Sequence, residues 1–243
     1  MFFLSSGLSA GEINVAVASN FKYTLAKLAA DFKEKSGHDL KISSASSGKL
    51  FTQIVHGAPY DVFLSADEKR VDLLIDEKRS RERNTYVYAL GKLVLLSNFE
   101  QPDDCKDVLR SNRLKHLAIA NPKIAPYGTA AKQVLNKLGL WQQLKPRLVM
   151  GENVAQTLQF VSTGNAQAGF VAKSMLDMAA FQLVKVVATG CVWDIPAEMY
   201  SPIKQKMVLL NKADNNPAAH DFMRYMQSRD AKSIIQSTGY DVL

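Results

Sequence analysis

Short apolar runs and amphipathic segments alternate along this chain almost from end to end, and few architectures accept that order. The run EINVAVA (12–18) is followed by FKYTLAKLAADFKEKSG, in which Leu25, Leu28, Ala29 and Phe32 recur at helical spacing and Gly37 marks a stop. DLKISS leads through a serine-rich turn into KLFTQIVHG, and YDVFLS (60–65) precedes ADEKRVDLLIDE. KLVLLS, HLAIA, RLVMG and QAGFV repeat the pattern further on, nearly all followed by helix-like segments. A strand that returns to its own sheet through a helix runs parallel to its predecessor. The expected fold class is therefore α/β with mainly parallel sheets.

No linker rich in Pro, Gly or Ser divides the chain. Instead YALGKLVLLS (88–97) and IKQKMVLL (203–210) read as two longer strands that cross between lobes. The helical stretch AAHDFMRYMQSRDAKSIIQ then returns to the first lobe. The expected division is residues 11–91 plus 205–243 in one lobe and 92–204 in the other. A length of 243 residues suits two lobes of this size.

Several function classes are disfavoured at once. No apolar run approaches the roughly 20 residues that span a bilayer. The net charge of +7 is spread along the chain, and its densest patch, DEKRSRERN (76–84), is interrupted by acids and lacks aromatics. That composition reads as a solvated face, not a nucleic-acid site. The opening MFFLSSGLSAG resembles the end of a secretory signal, so residues 1–10 are expected to be a leader and the remainder a soluble exported protein. A short leader with no export role is the other reading. No Cys follows Ala10, so a lipid anchor is not indicated. In an exported protein Cys105 and Cys191 are expected to pair, although sequence alone does not supply their separation. Neither has a neighbouring ligand at metal-site spacing.

Four turns share one chemistry. Ser19 and Asn20 stand between the first strand and the first helix, and Ser46 and Ser47 stand after the second strand. Tyr127, Gly128 and Thr129 open the helix after HLAIA, and Asn153 and Val154 open the one after RLVMG. Helix N-termini carry unpaired N–H groups and the positive end of the helix dipole. In open α/β sheets, ligands settle beyond the carboxyl ends of strands, where these turns fall. Together they would form a site rich in donors and poor in acceptors, suited to a small, fully deprotonated anion. A protonated anion such as hydrogen phosphate would also want an acceptor. Any one turn by itself is more often an ordinary N-cap, worth about 1 kcal/mol to the fold. The case rests on all four.

An enzyme is the rival class. The four histidines, His38, His56, His116 and His220, form no close-spaced metal pair, and no GxSxG elbow occurs. SASSGKL lacks both the first Gly of a P-loop and the Ser or Thr after its Lys49. No catalysis and no cofactor are expected. Paired tyrosines of the kind used to hold ferric iron are also missing.

The chain resembles the periplasmic molybdate-binding proteins of bacterial ABC importers from Glu12 onward. VAVASNF (15–21), SSASSGKLFTQIVHGAPYDVFLSAD (43–67), YALGKLVLLS (88–97), LAIANPKIAPYGTAAKQVL (117–135), GENVAQTL (151–158) and AEMYSPIKQ (197–205) carry the resemblance. It implies a type II periplasmic-binding-protein architecture: two α/β lobes, joined by hinge strands, that close on a tetrahedral oxyanion. The implied ligands are molybdate and tungstate, the alternative being another tetrahedral oxyanion such as sulfate or phosphate, and the implied partners are the importer's membrane subunits, with the binding protein a monomer. Position by position, the resemblance implies Ser19, Asn20 and Ser47 as ligand residues in one lobe. In the other it implies Tyr127 and the backbone N–H of Val154. Some members of that family carry Ser at the Asn20 position, Ala at Tyr127, and a Tyr donor where this chain has Ala172. Tyr127 is then expected to supply the last donor.

Overall fold

The computed structural model describes residues 10–99, 104–176 and 190–243. The leader reading of residues 1–10 therefore lies, apart from Ala10, outside the described residues. The described chain forms two five-stranded sheets. The first contains β1 (Glu12–Ala18), β2 (Asp39–Ala45), β3 (Val62–Leu64), β4 (Thr85–Gly91) and β10 (Ile203–Leu209), in the order β2-β1-β3-β10-β4. The second contains β5 (Leu93–Ser97), β6 (Leu117–Ala120), β7 (Leu148–Gly151), β8 (Ala168–Ala172) and β9 (Cys191–Asp194), in the order β7-β6-β8-β5-β9.

Both sheets are mixed. β2, β1 and β3 run parallel, as do β7, β6 and β8, while β10 and β5 run antiparallel to their neighbours. The antiparallel strands belong to the passages between lobes. The segment 88–97 is not one crossing strand: it breaks at Lys92 into β4 of the first sheet and β5 of the second. The return passage runs through residues 195–202, and β10 itself lies wholly in the first sheet. β9 has no counterpart among the sequence-derived strands. Among the described residues it is a sheet edge, paired only with β5.

Side-chain alternation explains why the first sheet carries helices on both faces. Ile13, Val15 and Val17 of β1 face one core with Val62, Leu64, Met207 and Leu209. Ala16, Phe63 and Val208 face the opposite core. The first core is closed by α1 (Lys22–Ser36) and by the C-terminal helices α7 (Pro217–Tyr225) and α8 (Arg229–Ser237). α2 (Ser47–Val55) and α3 (Lys69–Asp76) close the other. Gly37 ends α1 in the left-handed conformation, φ 74°, with its N–H donating to the Lys33 carbonyl. In the second lobe α4 (Pro126–Lys137), α5 (Trp141–Leu144) and α6 (Val154–Ser162) pack into a separate core.

Cys105 and Cys191 form a disulfide, Cα to Cα 5.6 Å, that ties the turn Cys105–Arg110 to edge strand β9. It closes a long loop, with a sequence separation of 86, within the second lobe. Replacing both cysteines with Ser should lower the stability of that lobe by about 2–4 kcal/mol. Denaturant unfolding of the variant beside the oxidised wild type measures this, and coincident curves would refute it.

Candidate functional site

The four turns meet. Ser19 and Asn20 begin a short 3-10 turn (Ser19–Phe21) that runs directly into α1, at the carboxyl end of β1. Ser47 is the first residue of α2, beyond β2. Across from them, Pro126 and Tyr127 open α4 beyond β6, and Val154 opens α6 beyond β7. β1 and β2 are parallel neighbours, as are β6 and β7, so each sheet delivers two helix N-termini to the same edge.

Ser19, Asn20, Ser47, Tyr127 and Val154 all line one small cleft, together with Ser46, Asn153, Ala66 and Pro126. Among the described residues no charged side chain lines it. Four of these residues are almost wholly withdrawn from solvent: Ser47 is 0% exposed, Asn20 and Tyr127 2%, and Val154 3%, while Ser19 is half-buried.

The caps are real, and they are distinct from the donors. Ser46 Oγ accepts from the Lys49 N–H, and Asn153 Oδ1 accepts from the Gln156 N–H at 3.0 Å. Each cap serves the third residue of its helix and leaves the N–H of the first residue, Ser47 or Val154, pointing out of the helix end. Ser47 Oγ accepts from the Ala66 N–H at 2.9 Å, which leaves its own proton to donate.

Asn20 contributes differently from what its side chain suggests. Its Nδ2 donates to Gln205 Oε1 at 2.8 Å and to Tyr240 Oη at 2.9 Å, which uses both amide protons. Its backbone N–H, in the first turn of the helical run, is the donor that Asn20 can offer the cleft. Tyr127 Oη accepts from Gln205 Nε2 at 3.2 Å. Burial, followed by the nearby phenols of Tyr240, Tyr88 and Tyr200, holds the Tyr127 hydroxyl well above the usual tyrosine range, so it remains a proton carrier. Burial likewise raises Tyr240 to about 12. Ala172, where some resembling proteins carry a Tyr, is buried in β8 opposite Leu93 and does not line the cleft.

Sequence reasoning missed the layer behind these donors. Gln205, Tyr88, Tyr240 and Ser174 form a buried polar cluster at the junction of the lobes. Gln205 was detectable. It falls between Ile203 and Met207 on the inward phase of β10, where a polar side chain needs partners. Tyr240 had no such signal, because its position depends on how the last residues fold back onto β4 through the Leu90–Asp241 bridge.

The lobes touch around the cleft. The Gly48 N–H donates to the Ile124 carbonyl at 2.9 Å, and Arg70 Nη2 to the Lys123 carbonyl at 3.4 Å. Lys49 pairs with Glu152 at the rim, 3.4 Å apart and largely solvated, so this pair contributes little.

Residues 13–241 match the family model described as bacterial extracellular solute-binding protein. The chain is 42% identical over 240 residues to the molybdate-binding protein ModA of Azotobacter vinelandii, covering 98% of this chain and 92% of that protein. It is 40% identical to ModA of Rhodobacter capsulatus, covering 96% and 89%. Among solved structures, the Azotobacter vinelandii periplasmic molybdate-binding protein superposes with a TM-score of 0.88 at 39% identity, over 95% of this chain and 99% of that one.

Proposed function

Because this chain belongs to the bacterial extracellular solute-binding protein family, and within it to the molybdate-binding proteins, we propose that it captures molybdate in the periplasm and delivers it to the membrane subunits of an ABC importer. The observation that carries this reading is the convergence of four helix N-termini, two from each lobe, on a cleft without a charged residue. Oriented N–H dipoles can offset a dianion locally without a cationic partner. The proposed donors are the hydroxyls of Ser19 and Ser47 and the backbone N–H groups of Asn20, Ser47, Tyr127 and Val154. With no carboxylate in the lining among the described residues, hydrogen phosphate would leave its proton unmatched. Tungstate, close to molybdate in size and of the same charge, should bind comparably. Sulfate is smaller and would not reach donors on both lobes at once.

The protein acts by binding, not by turnover. Ser47, Asn20, Tyr127 and Val154 are at most 3% exposed, so an anion reaches them together with the half-buried Ser19 when the lobes part. The passages at Lys92 and at residues 195–202 are the places for that movement. Molybdate binds the closed arrangement better because only there do both lobes donate, so it shifts the population toward closure. The closed form is the one presented to the importer. Among the described residues no helix is long and apolar enough to cross a membrane.

Calorimetric titration of the ligand-free protein with molybdate, tungstate, sulfate and phosphate tests this directly. The expected result is one molybdate or tungstate per chain, with little response to sulfate or phosphate. Thermal stabilisation should accompany binding and grow with ligand concentration, reaching about 2.7 kcal/mol at 100 times Kd. Ser47→Ala removes one hydrogen bond to a charged group and should weaken molybdate binding by about 10- to 100-fold. Folded wild-type protein that shows neither heat nor stabilisation with either metal oxyanion would end the proposal.

A further inference from the structure

The anion cleft and the approach to it differ in their electrostatics. Within the cleft the positive potential comes from helix ends, and that field fades within about one helical turn. It can hold a dianion that has arrived, but it reaches little way into solvent. A second groove between the lobes lies directly beside the cleft and shares Ala66 and Pro126 as walls. One bank is built by Asp67, Lys69 and Arg70, where α3 begins. The other includes Lys123, in the turn before α4. The Lys123 carbonyl accepts from Arg70 Nη2 at 3.4 Å, so Lys123 stands opposite the start of α3.

Most charges in this region are matched. Asp67 accepts from the Arg70 side chain, from the Arg70 N–H at 3.2 Å and from Ser65 Oγ at 3.0 Å, so the Arg70 charge is offset where it stands. Nearby, Lys49 pairs with Glu152 and Lys204 with Glu68. Lys69 and Lys123 are the exceptions. Both are exposed, and among the described residues neither has a carboxylate at ion-pair distance. They come from opposite lobes, so the unmatched positive charge flanks the groove on both sides.

We propose that this groove is the entry vestibule of the anion site: Lys69 and Lys123 draw a divalent oxyanion from solvent toward the cleft and do not touch it once it is bound. This rests on the molybdate reading above. The vestibule accepts any small dianion, because two solvated ammonium groups read charge and not shape. Selection among dianions is left to the cleft. The separation has a physical reason. A lysine inside the closed cleft would lose its water along with the anion, at a cost of several kcal/mol. At the groove it stays hydrated, and its field still reaches about 8 Å at physiological salt.

The expected signature is kinetic. With Lys69→Gln and Lys123→Gln combined, the association rate for molybdate should fall about tenfold at about 10 mM salt. The dissociation rate should stay within about twofold of wild type. At about 1 M salt, where screening acts over about 3 Å, the two proteins should associate at the same rate. A matched control removes the same charge elsewhere. Lys78 and Lys212 line a separate groove beyond the far end of α3, and Lys78→Gln with Lys212→Gln should associate like wild type. Stopped-flow mixing with molybdate over a series of salt concentrations reads all three proteins. Equal losses in the vestibule and control variants would reduce the effect to net charge and overturn the proposal. An unchanged association rate, or a change confined to dissociation, would overturn it too. Wild-type protein that takes up no molybdate fails before these comparisons, and that result defeats the binding reading itself.

Discussion

Gly48→Ala should weaken molybdate binding by about 5- to 150-fold while leaving the ligand-free protein at least as stable as wild type. Gly48 is the second residue of α2, and its N–H donates to the Ile124 carbonyl of the opposite lobe at 2.9 Å. A Cβ there would lie 2.9 Å from the Cα, the Cβ and the carbonyl oxygen of Ile124. Two of these are backbone atoms that cannot swing aside as a long side chain would. The overlap spans the cleft, so the lobes relieve it by separating. Apart from the other lobe, Ala suits the position better than Gly, by up to about 1 kcal/mol in a helix. The cost therefore falls on closure alone, and the affinity for an anion that needs closure falls with it. Titration calorimetry reads the first effect and unliganded thermal unfolding the second. Unchanged affinity in this variant would mean that the Gly48–Ile124 contact is not part of the bound state.

The second large effect comes from a glycine on the other side of the cleft, and its signature is opposite. Gly128→Ala would place a Cβ 2.0 Å from the Ala120 carbonyl oxygen and 2.7 Å from its carbon. Ala120 ends β6 and Gly128 sits in the first turn of α4, so both atoms belong to the second lobe and no hinge movement relieves the clash. The helix must instead lift off the strand that positions it, and Tyr127 moves with it. The variant should lose about 3 kcal/mol or more of stability. For a chain of this size that corresponds to a fall in Tm of roughly 6–12 °C. A variant that melts with the wild type would show that α4 can shift without cost. The two glycines, both beside ligand turns, thus separate closure from folding: one substitution should change binding alone, the other stability first.

Much of this protein is legible in one dimension because its elements are local. The alternation of strand and helix, the stop at Gly37 and the phase of Ile13, Val15 and Val17 all follow from residues within a few positions of one another. The helix-opening turns are legible for the same reason. Ser19, Ser47, Tyr127 and Val154 stand where a strand has just ended, and in a parallel sheet that end is a shared edge. Reading 88–97 as a single strand joins two apolar runs across Gly91 and Lys92, and the chain breaks there as it leaves one sheet for the other. The return at 195–202 was missed likewise, because β10 reads as a long strand whichever sheet it joins.

What residue patterns determine by themselves is which residues can donate. They do not determine which of those donors remain free, because a hydrogen bond removes a donor only when its partner arrives from elsewhere in the chain. Asn20 reads as an amide offered to a ligand until Gln205 and Tyr240, 185 and 220 positions away, take both of its protons. Ser47 keeps its own because Ala66 approaches it as a donor and so occupies a lone pair. That polarity is a property of long-range pairs, with no trace in local periodicity. The sequence determined the two lobes and the four turns, and only the tertiary structure decided which protons face the cleft.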